Sequence, residues 1–337
     1  MRGAAHLAVR RWWQGELGAP GAVLRALAAP LEWLYAAEVA RRNRRADARG
    51  GARVEGLRVV SVGNLAVGGT GKTPLAAWAA RALVQAGADV ALVSRGYGRD
   101  ELLLHHRWNP EVPVVADPDR VAAARLARER GAEAVVLDDG FQHRRLARDV
   151  DLVLLAAEDA FPGRLLPRGP YREGPRALAR AHAVVVTRRT AAATKAATLA
   201  DGVSGRFPHL AVAVAALLPG HWQDLSGAPA GAPTGPTLAV AAVARPDAFA
   251  VQVEEAIGVE AELVPFPDHH AFTEVEVRAM RQRAGTRTVV VTEKDAVKLV
   301  PYRTLLEPVR VLTQSLRWER GEDAVTRLVT GVARSSA

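Results

Sequence analysis

Residues 59–74 limit the possible folds more than any other stretch. An apolar run, Leu57, Val59, Val60 and Val62, leads into Ala66-Val67-Gly68-Gly69-Thr70-Gly71-Lys72-Thr73. Beyond it Leu75, Trp78, Ala79, Ala82 and Leu83 recur at helical spacing. A strand, a glycine-rich loop and a helix in that order make a phosphate cradle. The loop's N–H groups point at phosphate oxygens, and the helix adds the positive end of its dipole. Lys72 is placed to reach β- and γ-phosphates, and the Thr73 hydroxyl to ligate Mg²⁺. The usual pattern opens with Gly where this chain has Ala66, but the strand before and the helix after supply the required context. Residues Ala66 to Thr73 are therefore expected to bind a nucleotide.

The chain has 337 residues, long enough for two domains or one large domain with additions. Apolar strands alternate with Ala- and Arg-rich helical stretches, which predicts an α/β fold with a mainly parallel sheet. Net charge is +9, carried mostly by Arg, with Lys only at 72, 195, 294 and 298. Such a surplus suits anionic lipid, phosphorylated substrates or nucleic acid, or reflects codon usage alone. Aromatic residues are only 5% and no basic stripe interleaves with them, so no stacking platform for nucleic acid is expected. Cysteine is absent, which excludes disulfides, thiol catalysis and Cys-ligated metals.

Near the N-terminus no apolar run ends in a small-residue cleavage site, so no cleavable signal peptide is read. Residues 21–40 are interrupted by Arg25, Pro30, Glu32 and Glu38, too polar to span a bilayer comfortably. Pro30 suits a first helical turn. Leu31, Leu34, Tyr35 and Val39 then form an apolar face beside Trp33, ahead of Arg41, Arg42, Arg44 and Arg45. Two readings are open: a helix lying at a lipid interface, or one packed on the protein's own core.

Further along, Val90, Leu92 and Val93 run into Ser94-Arg95-Gly96-Tyr97-Gly98. Arg95 could contact phosphate and Tyr97 a substrate, or the segment is a structural turn. A third strand at 134–137 closes on Asp138-Asp139-Gly140-Phe141-Gln142-His143. Carboxylates at that strand end hold Mg²⁺ directly or through water, or else merely cap the next helix. Strands at 152–155 and 184–187 flank a Pro- and Gly-rich loop, 161–173, whose Arg164, Arg168 and Arg172 either meet an anionic substrate or merely connect. A Gly/Pro/Ala-rich stretch at 225–236 reads as a domain boundary. After it come Arg245-Pro246 and Asp268-His269-His270. With no Cys/His cluster nearby, the histidines are read as handling a proton or assisting a carboxylate base rather than binding metal. In Thr292-Glu293-Lys294-Asp295-Ala296-Val297-Lys298 the Lys and Asp are adjacent, which denies a guanine-recognition spacing.

Together these motifs resemble the tetraacyldisaccharide 4'-kinase family, the lipid A 4'-kinases. Ser61-Val62-Gly63-Asn64-Leu65 through Pro74, then 94–98, 138–143, 166–173, Arg245-Pro246, Asp268-His269 and 292–298 stand in the family's order. The resemblance implies a P-loop NTPase-like, mainly parallel sheet flanked by helices. Residues 1–50 would be a membrane-associated helical segment, 51–224 the P-loop kinase domain, and 225–337 a smaller α/β domain completing the active-site cleft. It implies transfer of phosphate from ATP, with Mg²⁺, to the 4'-hydroxyl of a tetraacylated glucosamine disaccharide 1-phosphate, giving the lipid A precursor lipid IVA. It also implies a monotopic or peripheral enzyme on the cytoplasmic face of the bacterial inner membrane, with no nucleic-acid partner. The catalytic candidates are then Lys72, Asp100, His269 and Asp139. Thr73, Asp138 and Asp139 would hold Mg²⁺, and Arg95, Tyr97, Gln142, Arg168 and Arg172 the substrate. The family places a hairpin and then Gly-Asp-Glu-Pro after the Tyr loop, whereas here Arg99-Asp100-Glu101-Leu102 follows almost at once. Asp100 takes the base role on that alignment. The rival function is a membrane-recruited P-loop ATPase switch that phosphorylates no small molecule.

Overall fold

A computed structural model describes residues 8–9, 11–13, 15–96 and 98–334; Tyr97 lies outside the described residues. Helices α1 (Gly18–Leu27) and α2 (Ala29–Arg49) come first, with Pro30 in the first turn of α2 as expected. Next come β1 (Arg58–Asn64), α3 (Lys72–Gln85), β2 (Val90–Ser94), α4 (Arg99–Trp108), β3 (Val114–Ala116), α5 (Arg120–Glu129) and β4 (Ala134–Asp138). They are followed by β5 (Val150–Ala156), β6 (Ala183–Arg188), α6 (Ala193–Arg206), β7 (Ala211–Gln223), β8 (Thr237–Ala241), α7 (Pro246–Ile257) and β9 (Ala261–Pro265). The last are α8 (Glu274–Ala284), β10 (Thr288–Thr292), α9 (Glu293–Leu299), β11 (Val309–Arg320) and α10 (Glu322–Arg334).

These elements form two compact units. Among the described residues the larger comprises those within 8–96, 105–215 and 318–334, and the smaller 98–104 and 216–317. The division differs from the expected boundary at 224/225. It falls inside β7, and the end of the chain returns to the larger unit. The return has a plain cause: Val325, Val329 and Val332 of α10 fall on one helical face and are buried, with α10 packed on α3, β1 and β5. Trp318 meets Trp78 of α3 edge-on at 4.9 Å.

In the larger unit the strand order is β3-β2-β4-β1-β5-β6-β7. The pairings from β3 through β6 are parallel. Strands β2, β4 and β5 are buried at every residue, the pattern of a parallel sheet covered on both faces. β1 lies between β4 and β5, with Val62 opposite both Asp138 and Leu152. The glycine loop and the Asp138-Asp139 pair therefore leave the sheet from neighbouring strand ends, where open α/β sheets take their ligands. Gly63 permits this approach, because a Cβ there would stand 2.5 Å from the Cβ of Phe141.

In the smaller unit β11, β10, β8 and β9 pair in that order and in parallel. Leu238, Val240, Val289 and Val291 from its strands pack with Phe272, Val277, Met280 and Leu299. Helix α8 is fixed at its start by a capping box, in which Thr273 and Glu276 satisfy each other's backbone donors.

Candidate active site

The cradle is held from below by its own unit. Asn64 Nδ2 donates to the buried Thr70 hydroxyl oxygen at 2.9 Å. The Thr187 hydroxyl donates to the Thr70 carbonyl at 2.8 Å, and Arg189 to the Gly69 carbonyl at 2.7 Å. Carbonyls of the loop are thus occupied from the protein side. Gly71 takes a left-handed conformation, φ 92°, immediately before α3, a turn that glycine enters at no steric cost. Lys72 and Thr73 open the helix, so the free N–H groups of its first turn lie beside them. Ala66 is 4% exposed and bridges to Tyr171, so the residue where Gly was expected is a packing position.

Two carboxylates stand at the end of β4. Asp138 is 4% exposed, and its Oδ2 lies 3.0 Å from Nε2 of His105, a fully buried residue of α4. Asp139 has φ 59°. Among the described residues only Asp139 and His269 combine a side chain with positive φ, a conformation that costs of order 1 kcal/mol or more outside glycine and collects at functional sites. Asp139 Oδ1 is 3.7 Å from Lys72 Nζ, and Arg172 Nη1 donates to both its oxygens at 3.1 Å. Burial pushes the Asp139 carboxyl up, but the charges of Lys72 and Arg172 outweigh it and hold the carboxyl below its ordinary value.

Around this pair runs a polar network. Gln142 Nε2 donates to the Asn64 carbonyl at 2.9 Å and to Glu173 at 3.0 Å, while its Oε1 accepts from Arg172 at 3.3 Å. Glu173 is buried and also receives Arg180 at 2.7 Å and Asn43 of α2 at 2.8 Å. Burial pushes the Glu173 carboxyl up, and the Arg180 hydrogen bond and charge bring it below its usual range. Thr73, Asp138 and Asp139 offer oxygen donors only. That set fits Mg²⁺, which takes one or two carboxylates and completes its shell with water and nucleotide phosphates. Among the described residues no group of three or more His, Cys, Asp or Glu forms a separate metal site.

The smaller unit carries the second constellation. Asp100, in the first turn of α4, is 2% exposed and faces His269 Nδ1 at 3.0 and 3.1 Å. Lys294 and Lys298 lie 3.9 and 3.6 Å from Asp100 Oδ2. Lys294 Nζ is 3.2 Å from Asp268 Oδ1 and 3.3 Å from His269 Nε2. Burial alone would raise the Asp100 carboxyl, but the His269 hydrogen bond and the Lys294, His269 and Lys298 charges pull it down to about 2. Burial works against charge on His269 as well, and the Asp100 hydrogen bond with the Asp268 charge leaves its pKa raised. Lys294 also stays above its ordinary value, because Asp268, Glu101 and Asp100 outweigh its burial. Gly98 makes the pair possible: a Cβ there would be 2.6 Å from Asp100 Oδ1 and 2.7 Å from His269 Nδ1.

Most of the expected residues fall into these two groups. Lys72, Thr73, Asp138, Asp139, Gln142 and Arg172 gather at the cradle in the larger unit, and Asp100 and His269 pair in the smaller. Arg95 is exposed just beyond β2. Arg168 departs from expectation, since its Nη1 donates to buried Glu32 at 2.8 Å instead of standing open for an anion. His270 bonds Glu276 at 3.0 Å, a local contact within its own loop and helix. Sequence reasoning missed His105, Glu173, Arg180, Glu32 and Asn43, and gave Lys294 and Lys298 no role. The rarity of lysine and the 292–298 motif marked the last two, and the 166–173 motif included Glu173; the others carry no local signal.

The family described as tetraacyldisaccharide-1-P 4'-kinase matches residues 24–333. A tetraacyldisaccharide 4'-kinase of Anaeromyxobacter dehalogenans strain 2CP-C is 41% identical over 325 residues, spanning 86% of this chain and 85% of the relative. One from Anaeromyxobacter sp. strain Fw109-5 is 39% identical over 362 residues, covering 94% of each chain. Among solved structures, LpxK from Aquifex aeolicus in complex with ATP superposes with a TM-score of 0.71 at 26% identity, covering 92% of this chain and 99% of that one. The chain belongs to the tetraacyldisaccharide 4'-kinase family.

Proposed function

We propose that the chain is an ATP-dependent kinase that transfers the γ-phosphoryl group to the 4'-hydroxyl of a tetraacyldisaccharide 1-phosphate in lipid A biosynthesis. Family membership over residues 24–333 supports the activity, and the ATP-bound relative of the same fold supports the nucleotide. The observation that carries the reading is the Lys72–Asp139 pair at a glycine cradle in a chain that also pairs Asp100 with His269. The first suits a phosphoryl donor, the second a hydroxyl acceptor.

Each residue has a role in this reading. The loop from Ala66 to Thr73 binds the triphosphate, and Lys72 offsets charge on the transferred group. Thr73, Asp138 and Asp139 would hold Mg²⁺, which when bound neutralises charge on the phosphate oxygens. Arg172 keeps Asp139 oriented. Asp100, supported by His269, orients the sugar hydroxyl and accepts its proton. A carboxylate held near pKa 2 is a weak base. Phosphoryl transfer through a loose transition state depends more on position and charge than on base strength, so a weak base suffices.

The substrate is a lipid, and the outward residues of α1 and α2 suit a lipid surface. Val23, Leu24, Leu27, Leu31, Trp33 and Leu34 are all more than half exposed, and Arg44 and Arg45 follow on the same stretch of chain. Apolar and aromatic side chains flanked by arginines favour peripheral binding to anionic lipid. No helix among the described residues is long and apolar enough to cross a membrane. The cytoplasmic face of the inner membrane is the location this reading assigns.

The test is incubation with γ-labelled ATP and the disaccharide 1-phosphate, followed by analysis of the lipid product. Label is expected on the lipid at the 4'-position. Release of inorganic phosphate with no labelled lipid would favour the ATPase switch instead.

A further inference from the structure

Helix α2 buries a charged residue while its leucines are exposed. Leu31, Trp33 and Leu34 point outward, whereas Glu32 is buried. A buried carboxylate is costly unless donors receive it, and here both oxygens are taken. Oε1 accepts from the Leu165 N–H and Oε2 from Arg168 Nη1, each at 2.8 Å. Three more bonds tie the N-terminal segment to the same loop. Tyr35 donates to the Arg172 carbonyl at 3.1 Å, Asn43 to Glu173 at 2.8 Å, and the Trp13 indole to the Pro167 carbonyl at 2.8 Å.

On its other side the loop is bonded to the cradle. The Arg172 N–H donates to the Leu65 carbonyl at 2.7 Å, and the Val67 N–H to the Pro170 carbonyl at 2.8 Å. Residues 161–173 thus lie between α2 and the start of the phosphate loop, and they end in the guanidinium that grips Asp139. All of these groups belong to the larger unit.

We propose that Glu32 is a positioning residue for phosphoryl transfer: it locks residues 161–173 onto α2, and the locked loop sets Arg172 against Asp139 beside Lys72. The inference rests on the kinase reading above. It gives α2 a task on the nucleotide side that is separate from any lipid contact of its outward leucines. Arg168 then acts through Glu32 and not on substrate.

The test uses the full chain with detergent-dispersed disaccharide 1-phosphate, comparing Glu32→Ala, Glu32→Gln and Asn43→Ala. Misplacement of a supporting group lowers turnover more than ground-state binding, so Glu32→Ala should lose about tenfold in kcat with KM for ATP within about twofold. Glu32→Gln keeps an acceptor for the Leu165 N–H and should fall between it and wild type. Tryptic cleavage after exposed Arg164 should quicken in Glu32→Ala, and co-flotation with phosphatidylglycerol vesicles should stay as in wild type. Wild-type kcat with unchanged tryptic resistance would overturn the proposal, as would a loss of turnover that tracks lost flotation. If Glu32→Ala does not fold, Glu32→Gln and Asn43→Ala decide by the same two readouts. If wild type labels no lipid, the kinase reading fails instead, and the tryptic comparison still decides whether Glu32 holds the loop.

Discussion

At the phosphate cradle eight consecutive residues supply the loop, and the neighbouring strand supplies Asp138 and Asp139. The Asp100 cluster is assembled otherwise: its central hydrogen bond joins residues 169 apart in sequence, and its lysines come from α9. The cradle's proposed contacts to phosphate are mostly backbone N–H groups, and its first residue, Ala66, is taken up by packing. The Asp100 cluster depends on side-chain charges that correct one another, with a carboxylate, an imidazole and two ammonium groups in mutual reach. A site of the first kind should fail at one residue, its lysine. A site of the second kind should fail by degrees.

Lys72→Ala is the sharpest way to test that contrast. It removes the cation proposed to offset charge on the transferred group, and loss of such a charge-stabilising group costs about 10²–10³ in kcat. Single-turnover transfer from labelled ATP measures it. A loss under about tenfold would mean that the backbone cradle and Arg172 suffice, and the proposed role of Lys72 would go.

Asp100→Ala comes next, with an expected loss of about 10²-fold, the lower range for general acid–base groups. Nucleotide hydrolysis without acceptor should be unaffected, because Asp100 is proposed to act on the acceptor hydroxyl alone. Turnover near wild type would remove Asp100 from the base role. That result would also make the short segment before it, where the family has a hairpin, a real divergence in mechanism.

The same contrast sets what the sequence could disclose. The cradle was legible because a contiguous motif carries its own geometry: strand, loop and helix start must follow in order. Asp138-Asp139 was legible as the end of an apolar strand, though not that His105 would back Asp138. His105 sits among Leu103, Leu104 and His106 with nothing local to mark it. Asp100 could be reached only through family resemblance, since a carboxylate in a first helical turn is commonplace. The Arg168–Glu32 pair was not legible because an arginine in a loop is equally suited to a substrate anion and to a glutamate of its own chain. For α2 the structure bears on one of the two open readings, packing on the protein itself. The helix does pack on its own protein, but through Glu32, which leaves its leucines outside.

Lys294→Met should have a smaller effect on turnover, about tenfold, because Lys298 remains near Asp100. Its direction on titration is more telling. Lys294 works against the charge on His269, so its removal should raise the His269 pKa further and let the Asp100 carboxyl rise toward its ordinary value. Imidazole resonances followed by NMR across pH would show the shift. A His269 titration unchanged in Lys294→Met would place the lysine's charge elsewhere, toward Asp268 alone.

A further effect is expected on stability, and it runs with pH in a definite sense. The Asp100 carboxyl falls from 3.8 to about 2 on folding, which corresponds to about 2 kcal/mol for this buried group. A depressed carboxyl contributes above its unfolded pKa and loses the contribution as pH drops through the folded one. His269 is raised, so its share is full below its unfolded pKa, about 6.5, and fades as pH climbs through the folded value. The pair should therefore stabilise most between about pH 4 and pH 6.5. Thermal unfolding of wild type and Asp100→Asn across pH 2–8 would map this, with the largest gap in that window and convergence toward pH 2. The cradle supplies a control: Lys72→Ala lacks no member of the Asp100 pair, so its gap from wild type should not peak there. A gap between wild type and Asp100→Asn that stays constant from pH 2 to 8 would mean that Asp100 acts through packing. The smaller unit's cluster would then be a fixed hydrogen-bonded scaffold and not a set of opposed charges.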